Sequence, residues 1–171
     1  MNVHGVPFKL ETREELNGMA CKGNVLKLPA DCTYNRLYIL AAAASDKDVK
    51  GIFRVGKYVQ EVIVPSYTGF IGQWGHTGHT EGYLKDAEVA YVGTHRHSGE
   101  GDQPYEFTYM FKFAIDLPEK ATEVVLPDNK DIVIFAATLT DVAATSVCPA
   151  SELFRTANKC NRYQTKAPQR E

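Results

Sequence analysis

The sequence predicts an all-β protein, an antiparallel, jelly-roll-like β-sandwich, and three observations lead there. From Tyr105 onward the residues alternate: Tyr105, Phe107, Tyr109, Phe111, Phe113 and Ile115 share one face, while Glu106, Thr108, Lys112 and Asp116 share the other. A period of two over that length belongs to a strand, and a face so rich in aromatics belongs to a strand lining a core, central in its sheet. Strand-like runs recur about every ten residues with turn chemistry between them, the rhythm of sandwiches and barrels. Finally, the alternating runs 51–55 and 58–64 flank Gly56-Lys57 and read as a β-hairpin closed by Pro65.

Taken in order, residues 1–17 are mixed and polar, and Val6 to Leu10 is their one strand-like piece, an edge strand. Residues 23–29 form a short strand ended by Pro29, with a turn after it. The run 35–44, NRLYILAAAA, is apolar without a break and suits a strand buried on both sides; its Ala and Leu content is the argument for a helix, and the turn-like residues on either flank favour the strand. After the hairpin, residues 66–82 are irregular, with five glycines, the single tryptophan, Trp74, and the histidines His76 and His79. A loop of that length in a compact domain is usually functional or disordered. Residues 87–93 form a short strand leading to His95-Arg96-His97, and Ser98 to Pro104 reads as a polar loop. Two further strands, 121–126 and 131–139, complete one domain over residues 3–140. Residues 141–171 read as an irregular C-terminal extension, with at best a short helix over 151–159.

Composition narrows the function classes. At 171 residues the chain is long enough for one domain that buries about two-thirds of its unfolded surface without staples. A net charge of −2 with no basic stripe argues against nucleic acid and anionic membranes as partners, and no apolar run approaches bilayer length. No basic segment followed by an apolar one opens the chain, so no signal peptide is visible. Cys21, Cys32, Cys148 and Cys160 contain no C-x-x-C pair, which leaves free thiols as the first reading and a disulfide as the alternative.

Hydrolase nucleophile and nucleotide-binding motifs are missing: there is no G-x-S-x-G, and the glycine-rich 75–82 lacks the Lys-Ser/Thr ending of a P-loop. Asp46 and Asp48 are a lone D-x-D, ordinarily a solvated turn. Glu100, Asp102 and Glu106 offer carboxylate pairs of the type glycosidases use, but almost any polar loop does, so no catalytic residue is assigned. His95 and His97, two apart on a strand end, point to the same side; with His76 or His79 and Glu100 or Asp102 they offer zinc-type donors, yet the spacing matches no named motif and neither metal nor cofactor is assigned. Sugar recognition fits the residue types better. A pyranose stacks its C–H face on an aromatic ring and needs polar partners for its hydroxyls. Trp74, with Tyr67, Phe70 and Tyr83 near it in sequence, supplies rings; His76, His95, Arg96, His97 and Asp102 supply the polar groups. The expected ligand site is the ridge where loop 66–82 meets loop 95–102.

Several runs resemble the β-rich C-terminal region of bacterial α-mannosidases of the glycoside hydrolase family 38 type: YNRLYILAAA at 34–43, GQW at 72–74, THRH at 94–97, YEFTY at 105–109, IDLP at 115–118, and LPDN at 126–129 followed by IFAA at 134–137. The resemblance covers about Val25 to Leu139. It implies a noncatalytic, carbohydrate-associated module whose catalytic residues and zinc lie in a separate α/β domain, so no family catalytic residue maps onto this chain. The implied partners are a mannose-containing glycan and the catalytic region of a larger hydrolase, the parent being a periplasmic or secreted protein. The alternatives are a ligand-free domain whose aromatic surface packs on that catalytic region, and a small hydrolase built on a histidine-bound metal.

Overall fold

The computed structural model describes residues 1–12, 16–30, 33–68 and 87–141. Among the described residues, eleven strands pair antiparallel in three sheets and there is no helix. In chain order they are β1 (Asn2–Val3), β2 (Val6–Pro7), β3 (Met19–Ala20), β4 (Val25–Lys27), β5 (Arg36–Ala43), β6 (Val49–Val55), β7 (Tyr58–Val64), β8 (Glu88–Ser98), β9 (Gly101–Asp116), β10 (Glu123–Val125) and β11 (Ile132–Thr140). One sheet runs β4-β10-β6-β7 and a second β3-β11-β5-β9-β8, while β1 and β2 make a small hairpin of their own.

The core forms between the two large sheets because each presents alternate residues to the other. From the five-stranded sheet come Leu37, Ile39, Ala41 and Ala43 of β5, Ile115 of β9, and Ile132 and Ile134 of β11; from the four-stranded sheet come Phe53, Val55, Val64 and Val124. Each fully buried Leu, Ile or Phe contributes about 1.5–3 kcal/mol relative to its exposed state. The unbroken apolar run of β5 has a simple cause. Its other face, Tyr38 and Leu40, is roofed by Val3, Val6 and Phe8 from the N-terminal hairpin and the segment after it. Buried on both faces and flanked by β11 and β9, β5 is a strand, as its turn-like boundaries suggest.

Glycine and the turns make the hairpins. The β6–β7 turn, Gly56-Lys57, has φ of +58° at Gly56 and no left-handed φ at Lys57, the type II′ pattern that matches strand twist. In β1–β2 the two loop residues, His4 (φ +48°) and Gly5 (φ +82°), are both left-handed, the type I′ pattern. The hairpin is tied down by Thr138 Oγ1, which donates to the Pro7 carbonyl at 2.6 Å, and by a contact between His4 and Glu88.

The structure differs from the sequence reading in three places. Residues 98–104 are mostly strand, not loop: β8 continues through His95, Arg96 and His97 to Ser98, and β9 begins at Gly101, which leaves only Gly99 and Glu100 as the turn. Ladder pairing there outweighs the polar, glycine-bearing composition that suggests a loop. Lys112, expected on an outward face, is 3% exposed, because the N-terminal hairpin covers that side of the sheet. The pairing of Met19 and Ala20 with β11 was also missed, since two residues carry no periodicity. The short helix proposed over 151–159 and most of the C-terminal extension lie outside the described residues.

Candidate functional site

The long β8–β9 hairpin carries most of the chain's unassigned chemistry. It is interrupted by two register shifts, between Val89 and Tyr91 and between Gly93 and His95. Such bulges add twist and re-aim side chains. Where β5 stops pairing with β9 at the Ala41–Phe111 pair, Tyr67 and Thr68 take its place: the Tyr67 carbonyl accepts from the Tyr109 N–H at 2.7 Å, and Thr68 Oγ1 donates to the Phe107 carbonyl at 3.1 Å. The start of the irregular 66–82 stretch is therefore stitched to the sheet.

Beside this junction lies a shallow depression of about 440 Å³, lined nearly throughout by apolar atoms and including Ala42, Tyr67, Tyr91, Tyr109, Met110 and Phe135. Tyr91 is 53% exposed there, a ring presented to solvent rather than packed away. Tyr109 is buried, and burial pushes its phenol above the ordinary tyrosine range. Tyr67 connects the depression to charge. The Arg96 guanidinium sits 5.7 Å from the Tyr67 ring centroid, within cation–π range, and its Nη1 lies 3.4 Å from Glu106 Oε2. Arg96 and Glu106 are each partly exposed, so their remaining hydrogen-bonding capacity faces water.

Strand alternation divides the His-Arg-His motif. His95 and His97 lie two apart and project together, their rings edge to face with centroids 4.6 Å apart, while Arg96 between them projects the other way. The cross-strand partner of His97 is Asp102, whose carboxylate hydrogen-bonds His97 Nδ1. Thr94 Oγ1 stands 3.2 Å from His95 Nδ1. One donor atom from each of His95, His97 and Asp102 falls within 4.8 Å of the others.

Of the six residues expected to bind ligand, the structure brings His95, His97 and Asp102 together and sets Arg96 apart from them. Trp74 and His76 lie outside the described residues, as do His79, Phe70 and Tyr83. Glu100 occupies the turn, and Glu106 belongs to Arg96. Asp48 accepts from the Ser66 N–H at 3.1 Å, so half of the D-x-D ties the segment before β6 to the segment after β7. Cys21 is free and buried; the other three cysteines are outside the described residues. Tyr91 and Phe135 were not singled out by the sequence reading. Tyr91 sits in a weakly patterned run, and Phe135 falls in the bulge between Ile134 and Ala136, where alternation fails.

A second polar cluster was also missed. Lys112, Glu88, His4 and Tyr38 come from four segments: Lys112 Nζ lies 2.8 Å from Glu88 Oε1 and 5.3 Å from the Tyr38 ring centroid, and His4 Nδ1 contacts the same Glu88 oxygen. No spacing in the sequence connects them. With a lysine so deeply buried and a histidine from the N-terminal hairpin, the cluster reads as the pin that fastens that hairpin to the sheet.

No curated protein matches the chain in sequence. A model of the AziU2-like beta-sandwich domain matches residues 1–143. That match supports the sandwich and gives no support to a mannosidase. Covering most of the sequence and all of the described strands, it places the chain in the AziU2-like beta-sandwich domain family.

Proposed function

We propose that this domain is a noncatalytic ligand-binding module whose ligand is a carbohydrate. The observation that supports this reading is the junction at Tyr67: an apolar, aromatic depression with Tyr91 exposed in it, joined through Tyr67 to the partly solvated Arg96–Glu106 pair. Sugars need this combination, a ring for the C–H face and charged groups for the hydroxyls. The resemblance to the C-terminal region of α-mannosidases makes mannose-containing oligosaccharides the first probes and a hydrolase catalytic region the first partner to look for. The test is calorimetry of the purified chain against mannose-containing and unrelated oligosaccharides, with Tyr91→Ala, Arg96→Ala and Trp74→Ala alongside. Saturable binding lost in Tyr91→Ala and Arg96→Ala supports the reading; flat traces throughout reject it.

One observation favours a second reading, a domain that packs on a larger protein. β7 is the edge of its sheet, and it exposes Tyr58, Val59 and Ile63 by 53%, 64% and 47%. An unpaired edge carrying apolar side chains is suited to pairing or docking. Under this reading Val59→Lys removes association with the partner and leaves the oligosaccharide traces unchanged.

A further inference from the structure

We propose that His95, His97 and Asp102, near the closed end of the β8–β9 hairpin, form a site for one divalent first-row transition-metal ion. The site does not depend on the carbohydrate reading.

The geometry comes from sheet rules. Residues two apart on a strand share a face, which brings the two imidazoles together, and the His97–Asp102 register puts a carboxylate directly opposite. The three donor atoms, within 4.8 Å of one another, need only a small rotamer adjustment to surround an ion at the bond lengths of about 2.0–2.2 Å typical of nitrogen and oxygen ligands. The ion takes the place now filled by the contact between His97 Nδ1 and the Asp102 carboxylate.

The support is stiff. The turn is only two residues long, and Ser98 Oγ clasps it, donating to the Gly101 carbonyl at 2.9 Å and accepting from the Glu100 N–H at 3.2 Å. Gly101, at φ +115°, holds a backbone conformation that side-chain-bearing residues rarely adopt. Electrostatics do not oppose a cation: Arg96, the nearest guanidinium in sequence, points away and is engaged by Glu106 and Tyr67.

Two imidazole nitrogens and one carboxylate oxygen form a donor set that suits Zn²⁺, Ni²⁺, Co²⁺ or Cu²⁺ rather than Mg²⁺ or Ca²⁺. With the side chains of His97 and Asp102 78% and 64% exposed, the ion keeps coordination positions open to water or to a donor from a bound molecule.

The test titrates the full chain with Co²⁺ and with Zn²⁺, using Mg²⁺ as the counter-probe, by calorimetry and by Co²⁺ absorption, which separates nitrogen–oxygen from thiolate ligation. The expected result is one ion per chain, a Co²⁺ spectrum without thiolate character, and no response to Mg²⁺. His95→Ala, His97→Ala and Asp102→Asn should each weaken binding by at least the roughly 10–100-fold that loss of even an outer partner costs a metal site. His4→Ala and the double variant His76→Ala/His79→Ala should bind as the parent does. Circular dichroism confirms that each variant is folded. Absence of saturable Co²⁺ or Zn²⁺ binding, a thiolate spectrum, or binding that survives His95→Ala/His97→Ala overturns the proposal.

Discussion

Glu88 and Lys112 stand directly opposite each other on β8 and β9, and the Lys112 ammonium, on a side chain only 1% exposed, lies 2.8 Å from the Glu88 carboxylate. The contact is close but not aligned as a hydrogen bond, so the pair is held by charge rather than by good donor geometry. Breaking a buried pair from one side strands a charge and costs about 3–5 kcal/mol, whereas replacing it with apolar groups is often neutral. Because Glu88 is one-third exposed, water can reach the pair and the loss should fall at the low end of that range. Glu88→Ala is therefore expected to lower unfolding stability by about 3 kcal/mol, Lys112→Met to cost less because the Glu88 carboxylate it leaves behind is one-third exposed and still meets His4, and Lys112→Met/Glu88→Ala to recover most of the loss. Urea unfolding measures all three. An unchanged midpoint in Glu88→Ala would show that the pair does no more than a surface contact.

The core between the sheets should respond in both directions of volume. Phe53 is fully buried, and Phe53→Ala should cost about 3–5 kcal/mol through lost transfer energy and a residual cavity. Gly51 has no room for a methyl group: a Cβ there would meet Ile132 Cδ1 at 2.9 Å and the Pro127 ring at 3.2 Å. Gly51→Ala should cost about 1–3 kcal/mol by overpacking, even though alanine is the better intrinsic choice. Thermal unfolding of the two variants checks both values.

Alkaline pH should destabilise the fold through two buried acids. Burial pushes the Cys21 thiol from 9.0 up to about 11, and burial also raises the Tyr109 phenol. Both groups are acids held neutral by the fold, so their contribution is fully present below the unfolded thiol value and is lost as pH climbs toward the folded one. For Cys21 alone the loss between about pH 9 and 11 is at most about 3 kcal/mol. Chemical unfolding at pH 8 and pH 10.5 should show a decline that Cys21→Ala reduces and that Tyr109→Phe reduces further. A decline that is identical in both variants would assign it elsewhere.

At the junction, stability and binding should separate. Arg96 and Glu106 form a partly exposed pair at 3.4 Å, worth no more than about 1 kcal/mol to the fold. Arg96→Ala should leave the unfolding midpoint nearly unchanged and weaken oligosaccharide binding tenfold or more, since charged hydrogen bonds to a ligand are worth about 1.5–3 kcal/mol. Arg96→Lys should fail to restore the affinity, because an ammonium lacks the planar fork of donors that the guanidinium beside Tyr67 presents. Calorimetry beside unfolding curves decides it.

Periodicity and turn chemistry were enough to read the all-β class, the β6–β7 hairpin, the doubly buried β5 and the aromatic strand β9, because those signals are local and each is repeated along its own segment. They were also enough to set His95 and His97 on one side of a strand. Register across strands is another matter, since it depends on which segments meet. Only the fold puts Asp102 opposite His97, slides Tyr67 into the ladder place that β5 leaves open, and roofs Lys112 with an N-terminal hairpin more than a hundred residues away in sequence. The apparent loop at 98–104 became mostly strand for the same reason: pairing with a neighbour satisfies backbone groups that composition alone would have left to solvent. Local pattern determined the elements, and long-range hydrogen bonding and burial decided which of their side chains share a site.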